Sequence, residues 1–269
     1  MSRRIIIFSA LGVALSGYFI FFKDRDDLIL LFGISLLLLV LSYTFQYQID
    51  QLMIRGVPQR LDPPMADMLI RSAPHFAQWP VETRRMAEDR MKRWVLKKDF
   101  INQNEQDAPE DVKYIMAYYA NLLTIHQESF LYDGLDRVVF YHHPFLSPRH
   151  QDDVHIAEVE KEDGTIIISV GHLLKGHFEK GYYNIALHAM AEAYQRCYLP
   201  SSPAWEESIW NQLEMISHIS RDQIEAYIGV PVEDPWPVAV HHQFMYAGTS
   251  IRQVMERLPQ SAPPSPGPG

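Results

Sequence analysis

Residues 181–195, GYYNIALHAMAEAYQ, decide how this chain is read. The run is rich in small apolar residues and reads as a buried helix. On such a helix His188 and Glu192, four residues apart, project side by side from one face. Two ligands at that spacing can clamp a metal ion while the residue after the first supplies a general base, as in the His-Glu-x-x-His motif. Here the first His is present, Ala189 stands at the base position and Glu192 stands where the second His would be. The same spacing also serves a hydrogen-bonded core pair, so the rest of the chain has to arbitrate.

Outward from this helix the pattern is mixed. Upstream, helices are expected over about 64–73, 81–98 and 110–125, the last opened by Asp107-Ala108-Pro109-Glu110 with proline and acid in its first turn. Residues 138–141, 154–159 and 165–170 read as strands, and Glu162-Asp163-Gly164 as the turn of a hairpin between the last two. Downstream, Ser202-Pro203 opens a helix to about Ile219 and Pro237 opens the last one. This order gives an α+β domain over 65–258. Gln260 to Gly269, QSAPPSPGPG, is a low-complexity tail with nothing to pack, so 259–269 is set apart as disordered.

The first 50 residues differ in kind. Ile5 to Phe22 and Leu28 to Phe45 are two charge-free apolar runs joined by Lys23-Asp24-Arg25-Asp26-Asp27. The expectation is a hairpin of two transmembrane helices (1–50), then a linker over 51–64. Arg3, Arg4, Arg55 and Arg60 outside the runs place both ends, and the domain, on the cytoplasmic side of a bacterial inner membrane. The single Cys197 permits no internal disulfide and fits that compartment. A basic helix face, Arg84 to Lys98, is either solvated or laid on anionic lipid. Net charge −9 and no recognised binding motif exclude nucleic acid as the natural partner.

Several segments together resemble the Mlc titration factor family, zinc-dependent peptidases of bacteria with a zincin-like (gluzincin, lethal-factor-like) core. The segments are WVLKKDF (94–100), YIMAYYANLLTI (114–125), RVVFYHHPF (137–145), GTIIISV (164–170), the motif helix and WPVAVHHQFMY (236–246). Of the family's helix signature only Asn184, His188 and Ala191 remain. The resemblance implies a third metal ligand at the position held by Gln243, so the implied metal set is His188, Glu192 and Gln243, with His242 as a substitute.

Those departures set the functional expectation. A carboxylate base contributes on the order of 10²–10⁴ in rate, and Ala189 cannot supply one. An amide oxygen is a poor zinc donor beside imidazole, thiolate and carboxylate. The reading is therefore a membrane-anchored pseudo-peptidase that binds a protein or peptide partner, with zinc held weakly or not at all and no catalytic residue assigned. The alternative is an active zinc metallopeptidase with rearranged ligands, its base recruited from Glu206, Glu207 or Glu214. None of the remaining histidines forms a ligand pair on a helix; His172 and His177 could reach the site only from a loop, and Tyr227 stands where the family places a tyrosine near its metal.

Overall fold

The computed structural model describes residues 2–23, 26–45, 58–103, 107–199, 205–206 and 208–258. Residues 51–57 of the linker over 51–64, and the whole tail over 259–269, lie outside them. The chain divides into two units, Met1–Gln59 and Arg60–Gly269.

In the first unit, α1 (Ser2–Lys23) and α2 (Ile29–Thr44), joined through a 3-10 turn at Asp26–Leu28, pack on one another. Their seam is made of small residues. Ser9, Ser16, Ser35 and Ser42 are buried, Ser16 Oγ donates to the Gly12 carbonyl, and a Cβ at Gly12 would sit 2.8 Å from Ser35 Oγ. The hairpin is thus present, but no helix among the described residues is long and apolar enough to cross a membrane. α2 has 16 residues, which at 1.5 Å per residue is about 24 Å against a hydrocarbon core of about 30 Å. The charge-free run Ile5 to Phe22 inside α1 comes to about 27 Å by the same measure. This overturns the transmembrane hairpin, and with it the two-pass inner-membrane placement and the orientation drawn from basic residues.

The second unit is a mixed α+β body around a small sheet. Its helices begin at α3 (Pro63–Ser72) and α4 (Pro74–Gln78), each with proline at its first positions, where the missing N–H is not needed. α5 (Val81–Lys97) buries Ala87, Met91 and Trp94. Its basic residues are engaged within the unit: Lys92 with Asp62, Arg93 with Asp89, and Arg90 with the Thr124 carbonyl and the Phe130 ring.

Strand β1 (Asp99–Asn102) follows directly, where the sequence suggested only the end of a helix. Lys98 marks the change. Its ammonium is buried, donates to the Tyr132 carbonyl at 3.1 Å and lies 3.6 Å from Asp136, and burial pulls it down to about 8. α6 (Glu110–Thr124) carries acid in its first turn and is buried throughout from Tyr114 to Thr124, so it is the central helix of the core.

Strands β2 (Arg137–Tyr141), β3 (Ala157–Glu160) and β4 (Thr165–Ser169) complete a sheet of order β1-β2-β4-β3. The first three in that order are parallel; β3 is the antiparallel edge, joined to β4 by the hairpin turn at 161–164. Alternation sends Val138, Phe140, Ile166, Ile168, Ala157 and Val159 to the helix-covered face. There α7 (Val170–Phe178) and α8 (Ile185–Tyr198) continue straight from β4, and α8 packs on α6, β3 and β4. Beyond it come α9 (Ile209–Ser217), α10 (Arg221–Ile228), α11 (Trp236–Met245) and α12 (Ile251–Arg257). α10 and α12 have complete capping boxes at Ser220/Gln223 and Ser250/Gln253.

Candidate functional site

α8 is the axis of the site. Asn184 caps it, accepting from the Leu187 N–H at 3.0 Å. Ala186, Ala189, Ala191 and Ala193 are fully buried, and their small size lets α6 and α11 approach closely. His188 and Glu192 emerge on the remaining face and line a cleft of about 440 Å³. One wall is β3 with Arg149, His150 and Lys161. The other is the segment from Ile228 to Pro237. That second wall is pinned by Ile156 N–H donating to the Ile228 carbonyl at 3.0 Å. Gly229 makes the approach possible: its φ is +97°, and a Cβ there would lie 2.1 Å from the Val154 carbonyl oxygen.

The edge of β3 faces this cleft. Ser169 N–H donates to the Ile156 carbonyl. With Ala157 opposite Ile168, antiparallel alternation then makes Glu158 and Glu160 the residues that bond to β4. Ala157 and Val159 therefore turn their backbone N–H and C=O outward. Both residues line the cleft.

Each sequence-derived ligand has a definite environment. His188 is 6 % exposed and its Nδ1 lies 2.7 Å from the Tyr183 hydroxyl; burial, with His242 adding to it, lowers its pKa to about 3. Glu192 is engaged by Arg196, Oε1 to Nη2 at 2.5 Å; burial raises its carboxyl and Arg196 opposes that. Gln243 is half-buried on α11 and is not among the residues lining the cleft.

The buried side of α11 carries His241 and His242 instead. His241 Nε2 accepts from the Asn184 N–H at 3.0 Å, its ring stacks on Tyr183 at 3.9 Å, and its Nδ1 lies 3.2 Å from His242 Nδ1. Burial lowers His241 well below the ordinary histidine value and His242 to about 4. His242 Nε2 is buried with no partner.

The remaining candidates fall elsewhere. His177 is held by Tyr119 at 3.0 Å and Ser72 at 2.8 Å, and His172 by Ser169 at 3.0 Å. Tyr227 sits on α10 with its ring against Tyr183 and His172. Glu206 and Glu214 are exposed and do not line the cleft; Glu207 lies outside the described residues. Glu158 on β3 is held by His155 Nε2 at 3.2 Å. Sequence reasoning passed over Tyr183, Lys161, Arg196 and the free edge of β3. Only Arg196, four residues after Glu192, carried a local signal.

With this geometry in view, a family model described as Glucose-regulated metallo-peptidase M90 matches residues 52–193, more than half of the chain and up to Ala193 in α8. The chain belongs to this family. It is accordingly a zinc-metallopeptidase-like protein. The M90 match ends before α11, where the third ligand position falls. No curated protein sequence matches the chain.

The M90 family is zinc-dependent, so the residues have to be tested against zinc. Among the described residues no group of three or more His, Cys, Asp or Glu side chains is placed to hold a metal ion. Glu192 is committed to Arg196, and Gln243, at the third ligand position, does not line the cleft. The donor set present does not fit a tetrahedral zinc site.

Asn184 ties these parts together. Besides capping α8, its Nδ2 donates to Tyr119 at 2.5 Å, and Tyr119 in turn meets His177. Asn184→Ala is expected to lower stability by about 1–3 kcal/mol, from the lost cap and the lost hydrogen bond to Tyr119, which keeps His177 as a partner. Asn184→Asp, which keeps the cap, should lose less. Urea denaturation of both variants measures the difference; equal losses would show that the cap contributes nothing.

Proposed function

We propose that this M90 protein binds rather than cleaves: its cleft holds an extended segment of a protein or peptide partner, and it acts as a binding or regulatory module. The observation that carries this reading is a cleft walled by the edge strand β3, on a motif helix whose base position is the buried Ala189. A strand edge offers main-chain hydrogen bonds to any extended peptide, while flanking side chains select among them. Leu199, Val230 and Val232 supply apolar wall, and Lys161, Glu233 and Asp234 supply charge of both signs.

The absent carboxylate argues against turnover. A water in the cleft would need a general base within hydrogen-bond reach. Of the four carboxylates that line the cleft, Glu192 is paired to Arg196, Glu158 to His155 and Asp234 to Gln195 and the Trp236 N–H, and only Glu233, on the wall opposite β3, is left.

The test is an array of capped decapeptides probed with the full-length chain, followed by solution affinities and mass spectrometry of the recovered peptides. Binding without cleavage is expected. Val159→Pro removes an outward N–H from the edge strand, and Leu199→Trp narrows the cleft. Each is expected to weaken binding at least tenfold while the circular dichroism spectrum is retained. Binding that neither variant changes would move the interaction off this cleft. Peptide cleavage abolished by His188→Ala would overturn the reading in favour of a metallopeptidase with rearranged ligands.

A further inference from the structure

We infer that His188, the residue at the first metal-ligand position of the motif, is a hydrogen-bond donor in this chain: Tyr183 fixes its proton on Nε2, facing the cleft, where it reads a backbone carbonyl of the bound peptide. The inference rests on the peptide-binding reading of the cleft.

A phenol hydroxyl has one proton to donate. The Tyr183 hydroxyl has one hydrogen-bond partner among the described residues, His188 Nδ1 at 2.7 Å. The Tyr183 hydroxyl is buried, and its proton has no other acceptor among the described residues, so it donates to Nδ1; a neutral imidazole that accepts at Nδ1 carries its proton on Nε2. Nε2 lies on the ring edge away from Tyr183. His188 lines the cleft, and its Nε2 is not among the buried unpartnered atoms, so that N–H opens into the cleft.

The neighbouring pair obeys the same count. The Asn184 backbone N–H can only donate, so His241 Nε2 is an acceptor and the His241 proton sits on Nδ1. It is donated to His242 Nδ1, which leaves the His242 proton on Nε2. A metal-binding histidine needs the opposite arrangement: a bare lone pair toward the metal and an N–H donated outward to an acceptor. Here the outward partner of His188 is a donor and the inward nitrogen carries the proton. The network presents an N–H to the cleft that β3 also lines.

The test uses full-length protein labelled with ¹⁵N in the histidine rings, with His188→Gln to assign the signals. Long-range ¹H–¹⁵N spectra are expected to show a pyridine-type Nδ1 and a protonated Nε2 for His188, unchanged by one equivalent of zinc chloride. The tightest decapeptide from the array is expected to shift the Nε2–H signal. Tyr183→Phe should release the tautomer to a mixture and weaken that decapeptide about fivefold, the scale of one hydrogen bond. A protonated Nδ1 in the unmodified protein, or a His188 shift on adding zinc, would overturn the inference whatever the peptide does. A decapeptide that competes at the cleft without moving His188 would overturn it too, while leaving the cleft reading intact. If no decapeptide binds, the cleft reading itself fails, and the tautomer alone decides whether His188 is a donor.

Discussion

Lowering the pH from 7.5 to 4.5 is expected to remove several kcal/mol of stability from the Arg60–Gly269 unit, most of it between pH 6.5 and 4.5. Four buried histidines, His177, His188, His241 and His242, are held neutral by burial, with folded values of about 4, 3, well below 6.5, and about 4. A folded value below the unfolded 6.5 means that the unfolded chain binds more protons in the interval between them. Stability is then complete above pH 6.5 and is lost as the pH falls toward the folded values. For His177 and His242 the linkage amounts to about 2–3 kcal/mol each by pH 4.5. That is a large part of the 5–15 kcal/mol typical of a folded domain.

Glu192 acts in the opposite sense. Its carboxyl is raised above 4.5, so its protonation on acidification favours the folded state and offsets a fraction of the loss. Glu158, held below its ordinary value, adds to the acid loss only near and below pH 4.5. Urea midpoints at pH 7.5, 6.0 and 4.5 measure the slope. His177→Gln, which removes one titrating ring and can keep a bond to Ser72 or Tyr119, should flatten it. A midpoint constant across that range would mean that these rings are solvated or already charged in the folded state.

Restoring the motif's carboxylate is expected to damage the protein rather than to revive chemistry. Ala189→Glu should lower stability by about 3–5 kcal/mol, as for an uncompensated buried charge added to an overpacked core. Ala189 is 0 % exposed within the hydrophobic cluster, on a helix packed against both α6 and α11. No peptidase activity is expected, because the new carboxyl would find neither a water held by a metal nor a free neighbouring donor. The sequence suggests a fuller reversion, Ala189→Glu with Glu192→His and Gln243→Glu. It would in addition leave Arg196 without its partner, and it would place the third carboxylate on α11 at a residue that does not line the cleft. Elemental analysis for zinc and a fluorogenic peptide screen on both variants check this. Stoichiometric zinc with near-native stability would show that the helix can still present the family's site.

Much of the fold was legible in local chemistry. The helices over 64–73 and 81–98, the strands of the β3–β4 hairpin and the motif helix follow from proline, acid and glycine at element ends and from the period of apolar residues. Other elements were hidden by length. β1 has four residues behind a buried lysine, and α7 runs on from β4 without a turn between them. Nothing in a single sequence announces a strand so short or a helix so abrupt.

The site divides along the same line. The sequence alone determined that His188 and Glu192 share a face, that the base position is Ala189, and that the chain belongs with a metallopeptidase family, because helical periodicity and residue identity are local facts. Only the tertiary structure decided which side of α11 meets α8, since periodicity fixes relative angles on one helix but not its rotation against another. That rotation buries His241 and His242 and leaves Gln243 aside. Contacts from residues distant in sequence, or lying outside the motif, then set the chemistry: Asn184 on His241, Tyr183 on His188, the edge strand β3 along the cleft. In the hairpin unit the run of apolar residues was plain, but how many of them one helix holds was set by where α2 begins and ends. The protons on the three site histidines are likewise a property of the folded network, because a tautomer is chosen by the partner a ring nitrogen meets.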